Sequence, residues 1–599
     1  MKSLILLWQV VLSEEGTRCC TSTSRDLKTA TARFEHEGLS FLTITLPDFC
    51  KDFQKSLEQE SISPDLFLAF AKTGKSPRFL GGFLDLVFDR HNGQLLENPS
   101  IDAIRAIRQL TLMFAKIDVD CTTVRTNAAM DGFVECEKQV RKSDAARTPQ
   151  HYEEFRRISG LLWAPIFQKV DEHVYYGRVL PKHGPGQTAE RLQGNLKFLQ
   201  AEWPQRLDRI FSHEDFLIPH YRYLDDIAGT NMLEPGAERP VRVISVPKTQ
   251  KTPRIIAIEP TCMQYMQQGL MELITEAIER NHKRSWLVGF SDQEPNQFLA
   301  QKGSLSRELA TLDLSEASDR VSNQLVRTMF ENFPNLERAV DATRSRKADV
   351  QGHGVIRLAK FASMGSALCF PIEALVFSTV IFIGIQNALS RPLTLKDISS
   401  FRGKVRVYGD DIIVPVKYVR HVISALETYG FKVNAGKSFW NGSFRESCGK
   451  DYYAGEDVSV VRVRQFIPES RGNAKEIIST VSLRNQLYNA GLWGTVRHLD
   501  RHLERVLKHY PVVGPQSPVL GRVSCLGIPS YRMHIHLHKP IVKGFLQRSR
   551  PPISKLDGYG ALMKFFLKRG DEPFADRDHL ERYGRPDAVD IKLGNGSAL

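Results

Sequence analysis

Apolar positions recur three and four residues apart through much of residues 50–160, as in Ile101–Ala115, which predicts a mainly helical N-terminal part. The run Leu4–Leu12 ahead of it lacks a small-residue cleavage site and is followed at once by acids. It is expected to be a buried strand or helix and not a signal peptide. Near residue 180, PKHGPGQTAERLQGNLKF joins a Gly/Pro turn to a helix pattern. The segment RVISVPKTQKTPRIIA, ending at Ala257, alternates with period two around a polar centre and predicts a hairpin. Leu309–Leu314 reads as a strand. Val321, Leu325 and Met329 beside Val326, Phe330 and Phe333 then read as one helix face. In KVRVYGDDIIVPV two alternating apolar runs flank Gly409-Asp410-Asp411, a hairpin signal. Val419, Val422, Ile423 and Leu426 predict a helix that Gly430 can end, and beyond about residue 466 the pattern is again largely helical. Ala367–Ile385 approaches the length of a membrane span, but Pro371 and Glu373 interrupt it. A core helix is expected, and no transmembrane segment.

With 599 residues there is room for about four domains of ~150 residues each, and no internal repeat points to a solenoid or propeller. The hydrophobic share of 42%, with 41 Gly and 30 Pro, is that of an ordinary globular chain and excludes a fibrous or low-complexity one. The net charge of +13 favours a polyanionic partner. Nine cysteines without a CxxC pair argue against a disulfide framework or zinc module and for a reducing compartment. Residues 491–550 carry ten Lys/Arg against Asp500 and Glu504, which is either a solvated basic surface or a track for phosphates. His534, His536 and His538 alternate there, as on one polar strand face. With no acidic or sulfur ligand nearby, that reading outweighs a zinc site.

Chemistry concentrates at VYGDDII. Apolar strands fix its tip in a core, yet the tip bears two adjacent carboxylates with no cation beside them. Divalent metal is the simplest compensation, and hard carboxylate oxygens suit Mg²⁺. An Asp-rich surface turn is the plain alternative. Asp313, at the end of the strand Leu309–Leu312, supplies a carboxylate from a second element, as two-metal phosphoryl transfer requires. A helix cap for Asp313 and a first-turn acid for Asp319 are the structural alternatives. GFKVNAGKS imitates a phosphate-binding P-loop, but five residues separate Gly430 from Gly436 instead of four, and a helix precedes it where a P-loop follows a strand.

TLDLSEASD, SMGSALCFPIE, VYGDD, NAGKSF and FRESCGKDYYAG occur in the order of polymerase motifs A to E, with VPKTQKTPRIIAIEP similar to motif F. Over roughly residues 180–465 the chain resembles the Qbeta-like RNA-directed RNA polymerases of the single-stranded RNA bacteriophages, the levivirus replicase beta (catalytic) subunits. The resemblance implies an α+β right-hand polymerase, with a palm sheet and mainly helical fingers and thumb. It divides the chain into an N-terminal helical region (1–160) contributing to fingers or partner docking, fingers with motif F (161–298), a palm (299–465, with a fingers insertion near 335–360), and thumb and tail (466–599). It makes Asp313, Asp410 and Asp411 ligands of two Mg²⁺ ions, with Mn²⁺ as a possible substitute, and Lys437 a proton donor to pyrophosphate. Lys248, Lys251 and Arg254 would meet the triphosphate, and Ser363 and Gly365 would form the loop opening the motif B helix. Glu373 stands where many RNA polymerases carry Asn, which leaves the ribose contact open among Ser318, Asp319 and Glu373. Implied partners are RNA template and product, ribonucleoside triphosphates, host elongation factors Tu and Ts, and the largest small-subunit ribosomal protein, in the cytoplasm of an infected bacterium, with no membrane. The apolar run Leu4–Val11 and the helices before residue 160 are expected to offer docking surface. A reverse transcriptase and a non-catalytic RNA-binding or packaging protein are the alternatives. Gly409 speaks against the first, and the three aspartates against the second.

Overall fold

In the computed structural model the described residues are 2–550, 553–568 and 588–599, so part of the tail expected within 466–599 lies outside them. The protein is α+β. At its centre three antiparallel strands run in the order Arg406–Tyr408, Asp411–Pro415, Leu309–Leu312. All four residues of Leu309–Leu312 are buried, as are Ile412 to Pro415, which is why these strands read as unbroken apolar runs. One face is covered by the helix Cys369–Leu389, itself packed on the helices Val419–Thr428 and Pro149–Tyr175. The other face is closed by the helix Glu294–Ser306 and the antiparallel pair Phe444–Ser447 and Lys450–Tyr453. Cys369–Leu389 is the only helix among the described residues long and apolar enough to cross a membrane, and it is buried in this core.

A second sheet carries the hairpin expected at 242–257. Val241–Val246 pairs with Arg254–Ile258, and Lys347–Val350 and Gly354–Arg357 extend the sheet from the other edge. Its apolar face packs on Met130 and Phe133 of the helix Thr123–Ala146.

The N-terminal run is helical, Lys2–Arg18, and its position corrects the expectation of docking surface: Leu4, Leu7, Trp8 and Val11 are wholly buried. They share a core with Phe439, Phe444, Val463, Leu487 and Val496, far along the chain. Glu14 completes the joint. Its carboxylate accepts from the backbone N–H groups of Gly494 (2.6 Å) and Thr495 (2.7 Å), where a negative charge meets the positive end of the helix Trp493–Leu507.

Three local expectations fail. The segment after PKHGPG is irregular, with only a 3₁₀ turn at Gly194–Phe198, because its backbone is spent on other partners: Ala189 N–H, for one, donates to Glu259 O. The helix face drawn from Val321 to Phe333 is shorter, Asn323–Phe330; Ser322 caps its start, and Pro334 opens a new helix. His534, His536 and His538 do not share a strand face, since the strand ends at Met533 and the His534 ring accepts backbone N–H groups in a turn. All nine cysteines are free.

Candidate active site

The 408–411 hairpin turns on Gly409, whose φ of +59° is left-handed. A Cβ there would lie 2.4 Å from the Phe370 ring, so glycine is required by conformation and by space alike. The stems are anchored from outside. Tyr408 OH donates to Phe290 O (2.9 Å), and the buried Arg406 guanidinium donates to Asn296 Oδ1 (3.0 Å) and Trp286 O (2.8 Å). Across the sheet the last paired rung is Leu312 with Ile412. Asp313 and Asp411 are each one residue beyond it, so the register sets the two carboxylates side by side at the same sheet end, with Asp410 at the exposed turn.

Burial, then repulsion from Asp410, pushes the Asp411 carboxyl up to about 6. Burial raises Asp313 as well, Lys437 opposing and Asp410 adding to the rise. The 434–438 segment clasps Asp313. Asn434 donates backbone N–H to its carbonyl (2.9 Å) and side-chain Nδ2–H to Oδ2 (2.9 Å), and Ser438 Oγ accepts its N–H (3.1 Å). Lys437 Nζ stands 3.8 Å from Asp313 Oδ2. Burial works against its charge, but Asp313, Glu446, Asp410 and Asp411 outweigh it and hold the ammonium above the ordinary lysine value.

Asp313, Asp410, Asn434 and Lys437 line a cavity of about 840 Å³, as do Lys248, Lys251 and Arg254 of the 246–254 hairpin turn, while Asp411 sits behind that lining. Burial, then Arg254 and Lys437, lowers the Lys248 pKa, and Asp410 and Asp313 partly offset this. Lys251 is not free: its Nζ donates to both carboxylate oxygens of Asp48, at 2.8 and 2.9 Å. The same turn is held by Arg125, which donates to Gln250 O (2.9 Å), and by Thr43 on the Gln250 side chain.

Ser318, Asp319, Gly365 and Glu373 line the same cavity. Gly365 has φ +132°, and a Cβ on it would sit 2.0 Å from Ala257 O, so the 363–366 loop presses on the hairpin strand; Ala257 N–H donates to Met364 O (2.8 Å). Ser363 is buried and does not line the cavity, and its Oγ has no hydrogen-bond partner among the described residues. Glu373 is buried with Oε2 unpartnered, and burial, then Asp410 and Asp319, raises its pKa well above the usual range. Asp319 does lie in the first turn of a short helix, the 3₁₀ turn Ser318–Arg320, but it is paired: Lys360 Nζ lies 2.8 Å from its Oδ1. Lys360 and the Asn434/Ser438 clasp are what sequence reasoning missed. A single lysine in the apolar stretch LAKFASM was the available sign of the first.

Among the described residues no three His, Cys, Asp or Glu side chains already form a closed metal-binding cluster. The donor set nevertheless suits a hard divalent cation. Asp410 adds to the rise of both the Asp313 and the Asp411 carboxyl, a repulsion that a cation would relieve.

Residues 235–509 match the family model for the RNA replicase beta-chain. The chain is 34% identical over 255 residues to the RNA-directed RNA polymerase subunit beta of Qbeta virus (strain MX1), covering 43% of this chain and 39% of that protein. It is 36% identical over 226 residues to the RNA-directed RNA polymerase beta chain of Escherichia phage MS2, 37% of each. The match thus spans about two-fifths of the length of these relatives. Similar solved structures include the in situ BmCPV RNA-dependent RNA polymerase at elongation state, at 11% identity and a TM-score of 0.39, covering 69% of this chain and 38% of that one.

Proposed function

We propose that this chain, whose residues 235–509 belong to the RNA replicase beta-chain family, synthesises RNA on an RNA template from ribonucleoside triphosphates. The observation that carries the reading is the register that sets Asp313 beside Asp411 at one sheet end, with Asp313 and Asp410 lining the same cavity as Lys248 and Arg254. Divalent ions held by Asp313, Asp410 and Asp411, Mg²⁺ with Mn²⁺ as a substitute, would supply charge neutralisation at the attacking 3′-hydroxyl and the departing pyrophosphate. Lys248 and Arg254 bind and orient the triphosphate. Their charge is offset only in part by the carboxylates opposite, so a polyanion is favoured between the two walls. Lys437 keeps its proton at neutral pH and stands at Asp313, where it can hand that proton to the leaving phosphate. Lys251 reaches the triphosphate only by leaving Asp48. Asp319 and Glu373, with Ser318, are the groups available to the ribose.

In hand-like terms the palm is the 309–312/406–415 sheet, the fingers include the 241–258 hairpin, and the thumb is the helices Ala474–Asn489 and Trp493–Leu507. The N-terminal helix Lys2–Arg18 packs on that thumb and ties it to the rest. RNA template and product, and by resemblance elongation factors Tu and Ts and the largest small-subunit ribosomal protein, are the partners of this reading, in a bacterial host's cytoplasm. Most of the Leu4–Val11 run is buried, so only its exposed positions, such as Leu6, and other exposed parts of the N-terminal helices, such as Leu27, are then left for such proteins. Against a reverse transcriptase, the Phe370 ring leaves no room for a larger residue at 409. The test is incorporation of labelled ribonucleotides on an RNA template, with deoxyribonucleotides and metal-free buffer as controls. Incorporation that needs no RNA template, or none at all with Mg²⁺ or Mn²⁺, would refute the reading.

A further inference from the structure

Lys360 has no exposed side-chain surface, yet it carries a charge in the protein interior. A lysine is buried this fully only when its ammonium is paired, because an unpaired charge there costs several kcal/mol. Here Nζ is 2.8 Å from Asp319 Oδ1, 3.6 Å from Glu137 Oε1, and 3.3 Å from the centroid of the Phe133 ring. The ring face beneath the ammonium adds a cation–π attraction that is strongest when desolvated. The backbone around Lys360 is fixed as firmly as its head. Ala359 N–H donates to Glu137 Oε2 (2.7 Å), Phe361 N–H to Val321 O (2.7 Å), and the buried Arg344 donates to the carbonyls of Leu358 (3.0 Å), Lys360 (2.7 Å) and Phe361 (2.9 Å).

This arrangement does little for Asp319 as a mere surface acid. Asp319 lines the catalytic cavity, keeps 19% of its side chain exposed there, and lies close enough to Glu373 to raise that carboxyl's pKa. With four other acids bordering the same space, Asp313, Glu316, Glu373 and Asp410, an untethered carboxylate would be pushed away from its place. Tethered by Oδ1, it stays as an acceptor at a fixed place in the cavity wall.

We infer that Lys360 is a positioning residue for ribose recognition: by pinning Asp319 it sets the acceptor that separates ribonucleoside from 2′-deoxyribonucleoside triphosphates. The inference rests on the polymerase reading above and names the device behind its choice of sugar. A site built to bond a substrate hydroxyl discriminates against the analogue lacking it, by far more than an apolar pocket could, provided the acceptor is held.

The test measures the ratio of kcat/KM for a ribonucleotide over its 2′-deoxy counterpart on an RNA template, using the full chain. The variants are Lys360→Met, Phe133→Leu, Asp319→Asn and the double Lys360→Met/Asp319→Asn. Lys360→Met is expected to lower the ratio about tenfold or more, chiefly through the ribonucleotide KM. Phe133→Leu, which keeps the charge and loosens its seat, should lower it by a smaller factor. The double variant should discriminate no worse than Asp319→Asn alone, because Lys360 acts through that carboxylate. Should Lys360→Met not fold, Phe133→Leu carries the test, and an unchanged ratio there overturns the inference. So does an Asp319→Asn protein that discriminates like the wild type. A wild-type chain that adds no nucleotide at all sinks the polymerase reading instead. Equilibrium binding of a fluorescent ribo- and deoxyribonucleoside triphosphate to the same variants would still give the ratio on which Lys360 is judged.

Discussion

Lys251 Nζ is shared between the two carboxylate oxygens of Asp48, 203 residues earlier in the chain, at 2.8 and 2.9 Å. Burial disfavours the Asp48 charge, but hydrogen bonds from Lys251 and Lys51 outweigh it and hold the carboxyl below the ordinary range. The pair links the N-terminal region to the tip of the cationic hairpin, and it engages a group that a triphosphate would otherwise attract. Both side chains are partly exposed, so the pair is worth no more than about 1 kcal/mol. Asp48→Asn is therefore expected to lower the nucleotide KM by about two- to fivefold, with kcat unchanged and the gain shrinking as salt is raised. Steady-state kinetics at two ionic strengths decide it, and an increased KM would mean that Asp48 presents Lys251 instead of competing for it.

Gly409 gives a prediction about stability as well as activity. Alanine would have to take φ +59° and place a methyl carbon 2.4 Å from the Phe370 ring. Left-handed strain of about 1–2 kcal/mol and overpacking of about 1–3 kcal/mol add on the same residue. Gly409→Ala should lower stability by roughly 2–5 kcal/mol, and Phe370→Leu in the same chain should return part of the loss by removing the ring. A denaturant titration of Gly409→Ala, Phe370→Leu and the double variant measures this. Independent, additive effects of the two substitutions would show that the ring is not the obstacle.

The contrast between what was legible and what was not follows from range. The 406–415 hairpin, the strand ending at Leu312 and the 241–258 hairpin are written in local alternation, and each is a strand pair in the structure. The apolar stretch at 367–385 was legible as core because Pro371 and Glu373 break its composition, and the helix there begins at Cys369. Residues 181–198 misled because an apolar spacing suited to a helix is overridden by long-range partners, such as Lys197 Nζ donating to Gly186 O (2.9 Å). Lys360 was illegible for the same reason. Its two carboxylates lie 41 and 223 positions away, and nothing local to LAKFASM announces them. The N-terminal run is legible as a buried helix or strand but not in what buries it, and docking surface is the wrong expectation for it because its partners at 463–499 come far along the chain.

The carboxylates at the sheet end predict how metal and pH act on the fold. The Asp411 carboxyl is raised from 3.8 to about 6, chiefly by burial and then by Asp410. A carboxyl raised in the folded state contributes stability that is complete below the unfolded value near 4 and is lost as pH rises through about 6. At about 1.4 kcal/mol per pH unit the loss is on the order of 2–3 kcal/mol at most. In metal-free buffer Asp411→Asn should hence be more stable than the wild type at pH 7.5, with the gap closing towards pH 5. Millimolar Mg²⁺ or Mn²⁺ should reverse the order at pH 7.5, because only the wild type keeps the full ligand set. The same substitution, and Asp410→Asn, should cut nucleotide addition by at least a thousandfold and leave RNA binding nearly intact. Thermal melts across pH with and without the ion, beside primer-independent incorporation and an RNA-binding titration, test all three. A melting order unaffected by the ion would remove Asp411 from the ligand set.

The basic stretch 491–550 is now open to a quantitative test of whether it grips RNA. Its two acids are already engaged: Asp500 pairs with Arg484 from outside the stretch, and Glu504 with Arg522. Arg497, Arg501 and Arg505 recur along the amphipathic helix Trp493–Leu507, whose apolar face is buried through Val496, Leu499, Leu503 and Leu507. Among the described residues none of these three arginines, nor Lys508 just beyond, has a carboxylate partner within ion-pair distance. Unpaired cations in a row along one helix repel each other mildly and gain from a phosphate backbone, which releases counterions as it binds. Replacing all four by glutamine is expected to leave the fold intact, because the substitutions touch the polar side of the helix alone. If each of the four meets one phosphate, the slope of log affinity against log salt for single-stranded RNA should fall by about 3, at ~0.7 per lost contact. Nucleotide addition at saturating RNA should be unchanged, since none of the four cations lines the catalytic cavity. Binding isotherms at four or more salt concentrations yield the slope for both proteins. An unaltered slope would return the stretch to the role of a solvated basic surface and send the search for the RNA path to the cations that flank the catalytic cavity.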